Sequence, residues 1–224
     1  MIDPDKFNPD VIECCINYKP DFIFVGGSSV AKSDFTKTVK FIKQKTSLPL
    51  VIFPGDENQI DKNADGILLL SLLSSRDADY LIGKHISSAL ILKKSQLEII
   101  PTAYLLLDES GKSSTAVVTG SKGISHKEKH LIACSALAAE QLGFKIIYLE
   151  AGSGAKKIIP STLLKKIAGM ISLPVIAGGG IDSAKKAGNL WQKGADLIAV
   201  GNAIERKIDL IRELCFKRNQ LNKK

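Results

Sequence analysis

Residues 173–183 read LPVIAGGGIDS, an apolar run that breaks into three consecutive glycines, and this segment decides the fold. An uninterrupted apolar run of this length is typical of a strand that is buried on both faces, as in a parallel sheet covered by helices. Glycine readily adopts the positive φ angles of a tight turn, so the strand is expected to end where the glycines begin. Residues 195–202, ADLIAVGN, repeat the arrangement one unit later. Two such segments in succession predict a chain built from repeats of strand, loop and helix, as in an α/β fold.

Similar apolar runs occur along the whole chain, with helical patterns between them. The seven predicted strands are 21–27, 48–53, 66–71, 97–108, 145–152, 173–180 and 195–202. The clearest helical pattern spans 125–143, where Ser125 is a suitable N-cap and Gly143 a suitable C′ residue. Further predicted helices are 33–45, 78–90, 160–171 and 183–193, with an amphipathic helix in the C-terminal tail.

Two polar segments interrupt this alternation. Residues 54–65, PGDENQIDKNAD, are poorly periodic and predict a loop or a single turn in place of one barrel helix. Residues 109–125 form a second polar insertion, a candidate lid or edge structure. An eighth strand could lie only at the N-terminus, around residues 1–3. We therefore predict a single-domain (β/α)8 TIM barrel over residues 1–224, with one helix replaced by a loop and a clipped first strand.

Composition and charge narrow the class of protein. The chain has 224 residues, 45% of them hydrophobic, which is enough for a full core in one domain. Its four cysteines show neither metal-ligand spacing nor a dense disulfide pattern, which favours reduced thiols and a cytoplasmic location. No apolar run reaches the roughly 18 residues of a spanning helix. The net charge of +8 suits phosphorylated metabolites or an anionic membrane face, and without aromatic side chains among the basic residues we expect no nucleic acid partner.

Three glycine-rich turns follow the last predicted strands, at Gly152 to Gly154, at Gly178 to Gly180, and at Gly201 with Asn202. A phosphate needs several backbone N–H donors converging on its oxygens, and glycine lets the main chain approach closely enough to supply them. In α/β barrels the phosphate site commonly lies in the loops after strands seven and eight. The turns therefore predict a phosphate site, although glycines that only permit tight turns would give the same pattern.

Glu150 ends the predicted strand KIIYLE, two residues before Gly152. A base fixed on a rigid strand beside a bound phosphate is well placed to remove a proton from a nearby hydroxyl. Tyr148 lies on the same face and could bond the substrate or the Glu150 carboxylate, and it fits a barrel-core tyrosine equally well.

Hard oxygen ligands of the kind that Mg²⁺ uses beside phosphates occur at two other predicted strand ends. Asp3 and Asp5 lie in the opening IDPDK, and Ser28 and Ser29 follow the first predicted run. An Asp-Pro pair is also a common start of a turn or helix, so both interpretations stay open.

The motifs IDPDK, FVGGSS, YLEAGSGA, PVIAGGGI and AVGNAI, in this order and spacing, resemble the geranylgeranylglyceryl phosphate synthases and their bacterial relatives that attach other prenyl chains. The resemblance runs over nearly the whole chain. It implies a barrel enzyme of ether-phospholipid biosynthesis that joins the 3-hydroxyl of sn-glycerol 1-phosphate to a prenyl diphosphate, with geranylgeranyl diphosphate the expected donor. Diphosphate is released with the help of Mg²⁺. The resemblance also implies a homo-oligomer and is compatible with peripheral membrane association.

The resemblance assigns roles to residues at matching positions. Glu150 would take the hydroxyl proton with Tyr148 beside it, and Asp3 and Ser28 would hold the metal. The residues implied to hold glycerol 1-phosphate are Tyr148, Leu149, Glu150, Ala151, Gly152, Ser153, Gly154, Gly178, Gly179, Gly201 and Asn202. The prenyl chain would need an apolar groove, for which residues 68–73, Tyr80, Ile100 and Tyr104 are candidates, although ordinary packing explains them equally well.

Two other functions fit the same phosphate turns, because a fold does not fix the reaction it supports. One is a phosphorylated-sugar isomerase, aldolase or cyclase in which Glu150 still acts as a base. The other is a barrel that binds phosphates or lipid headgroups without turnover.

Overall fold

The computed structural model describes residues 1–28, 30–108 and 110–223. Within these residues seven parallel strands form one sheet, and each strand pairs with the next in chain order. The strands are β1 (Ile23–Val25), β2 (Leu50–Ile52), β3 (Gly66–Leu72), β4 (Glu98–Leu106), β5 (Ile146–Glu150), β6 (Val175–Gly178) and β7 (Leu197–Ala199). All seven predicted strands are therefore confirmed.

Helices occupy the segments between the strands. They are α1 (Pro9–Tyr18), α2 (Lys32–Lys45), α3 (Lys84–Ser95), α4 (Ser114–Thr119), α5 (Lys129–Gln141), α6 (Ser161–Ala168), α7 (Ala184–Trp191), α8 (Asn202–Arg206) and α9 (Leu210–Leu221). A 3₁₀ turn spans Pro4–Lys6, and a π-helix, Asp79–Gly83, leads directly into α3. The segment between β2 and β3 consists of turns and bends.

The helices differ from the sequence prediction at three places. The helix predicted from Ser125 begins only at Lys129, because Ser125 instead accepts bonds from the backbone N–H groups of Lys127 and Glu128 in a preceding turn. The polar insertion at 109–125 contains a helix, α4, capped by the Ser113 side chain. Helix α1 was not predicted, although the Asn8 cap followed by proline is a strong start signal.

The first residues of the chain contact both edges of the sheet, at β1 and just after β7. The Ile2 N–H donates to the carbonyl oxygen of Phe24 at 2.7 Å, and the Ile2 carbonyl accepts from Gly26 at 3.0 Å. The Met1 amino group donates to the carbonyl oxygen of Val200, just after β7, at 2.7 Å. Residues 1 and 2 thus bridge the space between β7 and β1.

Successive side chains along a strand point to opposite faces of the sheet, and both faces are buried, as expected for a sheet that curls around an interior and is covered by helices outside. On β5, Tyr148 belongs to the inner cluster of buried residues. Leu149 belongs to the outer cluster, between the sheet and the helices. Because all strands are parallel, their carboxyl ends meet at one end of the sheet, where the functional loops lie. No helix among the described residues is long and apolar enough to cross a membrane.

Candidate active site

The carboxyl ends of the strands open into a cleft of about 580 Å³. Most residues predicted from the sequence as site residues line it. They are Asp3, Ser28, Tyr148, Glu150, Ser153, Gly154, Gly179, Gly201 and Asn202. The structure therefore brings the glycine turns, the candidate base and the candidate metal ligands to one cleft.

Four of the predicted site residues do not line the cleft. Leu149 and Ala151 are buried in the outer cluster, because alternation along β5 turns them away from Glu150. Gly152 and Gly178 lie just behind the cleft wall. A Cβ atom on Gly178 would collide with the Tyr148 hydroxyl, so this glycine makes room for the tyrosine.

The Glu150 side chain is almost completely buried at the end of β5, with 9% of its surface exposed. Its Oε1 accepts a hydrogen bond from the Gly152 N–H at 2.8 Å. Burial raises the pKa of Glu150 to about 7, with a further rise from the negative charge of Asp108, and the bonds from Gly152 and Tyr148 offset only part of this. A carboxylate with a pKa near neutrality is suited to act as a general base.

Tyr148 lies beside this carboxylate in an aromatic group. Its ring stacks on Tyr104 with 5.3 Å between centroids and meets the edge of Phe53 at 5.2 Å. Burial, together with the charge of Glu150, raises the pKa of Tyr148 well above its usual value, so the hydroxyl stays protonated and hydrogen-bonds to Glu150. Tyr148 is thus both a core residue and the neighbour that orients the candidate base.

The glycine turns form one wall of the cleft, the glycine wall, in which Gly179 lies directly against the Glu150 carboxylate. Gly152, Gly154 and Gly179 have φ angles of 105°, 72° and 82°, a region that side chains disfavour. The turns after β5 and β7 are joined by a hydrogen bond of 3.2 Å from the Asn202 amide to the Ser153 hydroxyl. Ser153 and Asn202 add small polar side chains to this wall, and a phosphate site needs such donors together with backbone N–H groups.

Asp3 and Ser28 lie at the ends of neighbouring segments. The Asp3 carboxylate is packed against the loop after β1, so that a Cβ atom on Gly27 would lie 2.6 Å from its Oδ1. The same oxygen accepts a bond from the Asp5 N–H at 3.1 Å, while Asp5 itself is exposed and outside the cleft. Ser29, also considered from the sequence, lies outside the described residues.

A single carboxylate with a hydroxyl suits Mg²⁺, which commonly keeps several waters and binds substrate phosphates beside one or two carboxylates. The described residues contain no cluster of three or more His, Cys, Asp or Glu side chains that could hold a metal by themselves. The donor set at Asp3 and Ser28 therefore fits an ion that is bound together with a phosphorylated substrate.

Two buried polar residues of the site were not predicted. Gln59 has no exposed surface; its Oε1 accepts from the N–H groups of Gly27 and Gly55, and its amide donates to the Gly27 carbonyl at 2.6 Å. Asp108 follows β4, and although burial alone would raise its pKa, hydrogen bonds from Ser110 and Ser113 lower it to about 2. Gln59 belongs to no local motif, whereas Asp108 accepts from the N–H of Ser110 two residues ahead, a local turn for which an aspartate after a strand is a signal.

Another part of the cleft is rich in apolar side chains, with polar ones such as Lys84 and Ser88 among them. Leu70, Leu72, Tyr80 and Tyr104 line it, in agreement with the predicted groove. Leu68 and Ile100, also predicted for the groove, pack inside the sheet instead. The cleft thus has one end with the glycine turns and one end rich in apolar side chains, called the apolar end below.

Comparison with known proteins adds independent evidence. A model of the PcrB family matches residues 1–217. The geranylgeranylglyceryl phosphate synthase of Spirosoma linguale is 38% identical over 226 residues, which cover 99% of this chain and 91% of the relative. The protein of that name from Pyrococcus furiosus is 40% identical over 210 residues, covering 92% of this chain and 83% of the relative.

A solved structure is similar over the full length of the chain. It is the crystal structure of (S)-3-O-geranylgeranylglyceryl phosphate synthase from Thermoplasma acidophilum in complex with its substrate sn-glycerol-1-phosphate. The TM-score is 0.89 with 31% identity, and the match covers 100% of this chain and 92% of that one.

Proposed function

The chain belongs to the PcrB family, and from this membership we propose that it is a prenyltransferase that joins sn-glycerol 1-phosphate to a prenyl diphosphate through an ether bond. The observation that carries the proposal is the buried Glu150 carboxylate, fixed at a strand end beside three glycine turns in one cleft. The relatives named for this reaction, and the Thermoplasma structure with sn-glycerol-1-phosphate, support the choice of substrate.

In this proposal glycerol 1-phosphate binds with its phosphate on the glycine wall. Backbone N–H groups around Gly154, Gly179 and Asn202 donate to the phosphate oxygens, and the Ser153 hydroxyl adds a side-chain donor. The hydroxyl at the far end of the three-carbon glycerol then faces Glu150. The glycine turns and the end of β5 lie close together, so they hold the phosphate and the reacting hydroxyl of the same small molecule. This removes most of the entropic cost of orienting the hydroxyl.

Glu150 acts as the general base. The carbon–oxygen bond between prenyl C1 and the diphosphate breaks, and the diphosphate leaves with the electron pair. The glycerol oxygen O3 forms the new bond to C1 and loses its proton to the Glu150 carboxylate. Tyr148 keeps that carboxylate oriented through their hydrogen bond. Positive charge that develops on the prenyl group is delocalised over the allylic system, so positioning and charge stabilisation carry most of the catalysis.

Asp3 and Ser28 would hold Mg²⁺ together with the diphosphate oxygens. When bound, the ion supplies positive charge that stabilises the leaving diphosphate. The packing of Asp3 against the loop of Gly27 supports this assignment, since it fixes the carboxylate next to Ser28.

The prenyl chain, with geranylgeranyl the expected length, would lie along Leu70, Leu72 and Tyr80 in the apolar end of the cleft. We further propose that residues 1–3 act as the eighth, clipped strand of a single-domain (β/α)8 barrel. The turns of 54–65 would then stand in place of a barrel helix and leave that side open to the prenyl chain.

We also propose that the enzyme is a cytoplasmic homo-oligomer that associates with the membrane periphery, where its lipid product is needed. Ile82, Ile86 and Leu90 support a contact surface, since they lie four residues apart along one helical face and are 57%, 70% and 72% exposed.

The function is tested by incubating the purified protein with labelled sn-glycerol 1-phosphate, Mg²⁺ and prenyl diphosphates of several lengths. We expect a prenyl ether of glycerol phosphate and an equal amount of diphosphate, with sn-glycerol 3-phosphate as the stereochemical control. A folded protein that yields no ether with any chain length would refute the proposal.

A further inference from the structure

The cleft contains a lysine, Lys84, that has no role in the mechanism above. Lys84 is the first residue of α3 and lines the cleft. Its ammonium lies 2.8 Å from Oδ1 of Asp56 and 5.1 Å from the centroid of the Tyr80 ring. The side chain is 35% exposed, so the ammonium is held by two neighbours while it remains accessible.

This lysine lies where the apolar end of the cleft meets the end with the candidate metal ligands. Asp56 follows Gly55, and a Cβ atom on Gly55 would collide with the Gly27 carbonyl oxygen and lie 2.8 Å from the Cα atom of Ser28. The loops after β1 and β2 therefore touch at this point. Tyr80, the other neighbour of Lys84, lines the apolar end.

A prenyl diphosphate carries its charge at one end and its apolar chain at the other. If the prenyl chain lies along the apolar end and the metal is bound at Ser28, the diphosphate must lie between the apolar end and Ser28, next to Lys84. An ammonium has three N–H donors, and Asp56 accepts one of them. Resting on the function proposed above, we propose that Lys84 binds the diphosphate of the prenyl substrate, with Asp56 and Tyr80 as positioning residues.

The other cations of the cleft are placed differently. Lys6 lies between Asp3 and Glu205, at 3.8 and 3.6 Å, on the side of the N-terminal turn. Lys156 follows the glycine turn after β5, Arg206 ends α8 on the phosphate side, and Lys207 beside it is paired with Glu213 at 2.6 Å. Among the described residues that line the cleft, Lys84 is the cation on the side of the prenyl chain.

The charge of Lys84 is secured by its neighbours. Burial alone would lower its pKa, but the hydrogen bond and the negative charge of Asp56 outweigh burial and raise the pKa above the ordinary value. The side chain therefore remains an ammonium over the pH range in which the assay is run.

The test measures binding of inorganic diphosphate with Mg²⁺ by calorimetry, which does not depend on turnover. We expect Lys84→Gln to weaken binding about tenfold, the usual effect of losing a hydrogen bond between charged groups, and Lys84→Arg to stay within about threefold of the wild type. In the ether assay, the KM for the prenyl diphosphate should rise for Lys84→Gln while the KM for glycerol 1-phosphate stays unchanged.

The chain offers a matched control in the ion pair between Lys43 and Asp65. Its shortest distance is also 2.8 Å, its lysine is 29% exposed, and it lies outside the cleft. Lys43→Gln should leave diphosphate binding unchanged, whereas a loss equal to that of Lys84→Gln would overturn the inference, because it would trace the effect to ion-pair loss in general.

Asp56→Asn separates binding from a purely structural role. This change breaks the ion pair but keeps the ammonium, so its loss of diphosphate affinity should be smaller than that of Lys84→Gln. Equal losses would show that Lys84 only anchors α3, and wild-type affinity in Lys84→Gln would likewise refute the inference. Lys84-dependent diphosphate binding in a protein that forms no ether would uphold this inference and reject the proposed function.

Discussion

Replacing the candidate base should stabilise the protein at alkaline pH. In the folded chain the pKa of Glu150 is raised, chiefly by burial, to about 7, against an ordinary value of 4.5. The folded state therefore holds this proton more tightly than the unfolded state does. Stability from this group is present in full below pH 4.5 and is lost as the pH rises through 7.

At pH values well above 7, the gap between the two pKa values lowers the free energy of unfolding of the wild type by about 3 kcal/mol. Glu150→Gln keeps the shape of the side chain and an acceptor for the Gly152 N–H, but it cannot ionise. We therefore expect the variant to be more stable than the wild type by up to about 3 kcal/mol at pH 8.5, and nearly equal to it near pH 4.5.

The assay is urea unfolding followed by circular dichroism at pH 4.5, 6, 7 and 8.5 for both proteins. The other carboxyl groups titrate alike in both, so their contributions cancel in the difference between the two free energies of unfolding. A difference that does not change with pH, or a variant less stable than the wild type at pH 8.5, would refute the reasoning about Glu150.

Three further predictions test neighbouring contacts. Asp108→Asn removes a negative charge that raises the pKa of Glu150, so the pH at which kcat/KM reaches half of its plateau should fall, as a pH–rate profile would show. Gly179→Ala forces a Cβ atom into the Glu150 carboxylate at a φ angle of 82°; backbone strain alone should cost about 1–2 kcal/mol, and calorimetry should detect loss of glycerol 1-phosphate binding. Gln59→Leu leaves two buried N–H groups without their acceptor and should lower the free energy of unfolding by about 2–5 kcal/mol, measured in urea, with a change below 0.5 kcal/mol contradicting the role of Gln59.

The sequence was most informative where a local pattern determines the structure. Apolar runs, many of which end in Gly, Ser or Asp, predicted every strand of the sheet, because strands buried on both faces are made of such runs. The position of Glu150 two residues before Gly152 placed its carboxylate in the cleft, as the structure confirms. The same alternation turns Leu149 and Ala151 outward, and a strict period of two would have predicted this for both.

What the sequence did not reveal depends on contacts between distant loops. Gln59 is buried because its amide joins its own loop, at Gly55, to the loop of Gly27, which lies 32 residues earlier in the chain. Lys84 acquires its place through Asp56, 28 residues earlier. Such pairs appear only after the sheet has brought the loops together, so the roles of the site residues stay predictions that rest on geometry and resemblance.

The central claim is that Glu150 removes the proton from the glycerol hydroxyl. Its most direct test compares the rate of ether formation and the affinity for sn-glycerol 1-phosphate in Glu150→Gln. Glu98→Gln serves as the matched control, because Glu98 is exposed at the opposite end of its strand. We expect the first variant to lose a factor of about 10²–10⁴ in kcat while its Kd for glycerol 1-phosphate stays within a few-fold of the wild type. A variant that keeps the wild-type kcat, or that loses affinity as severely as rate, would contradict the account.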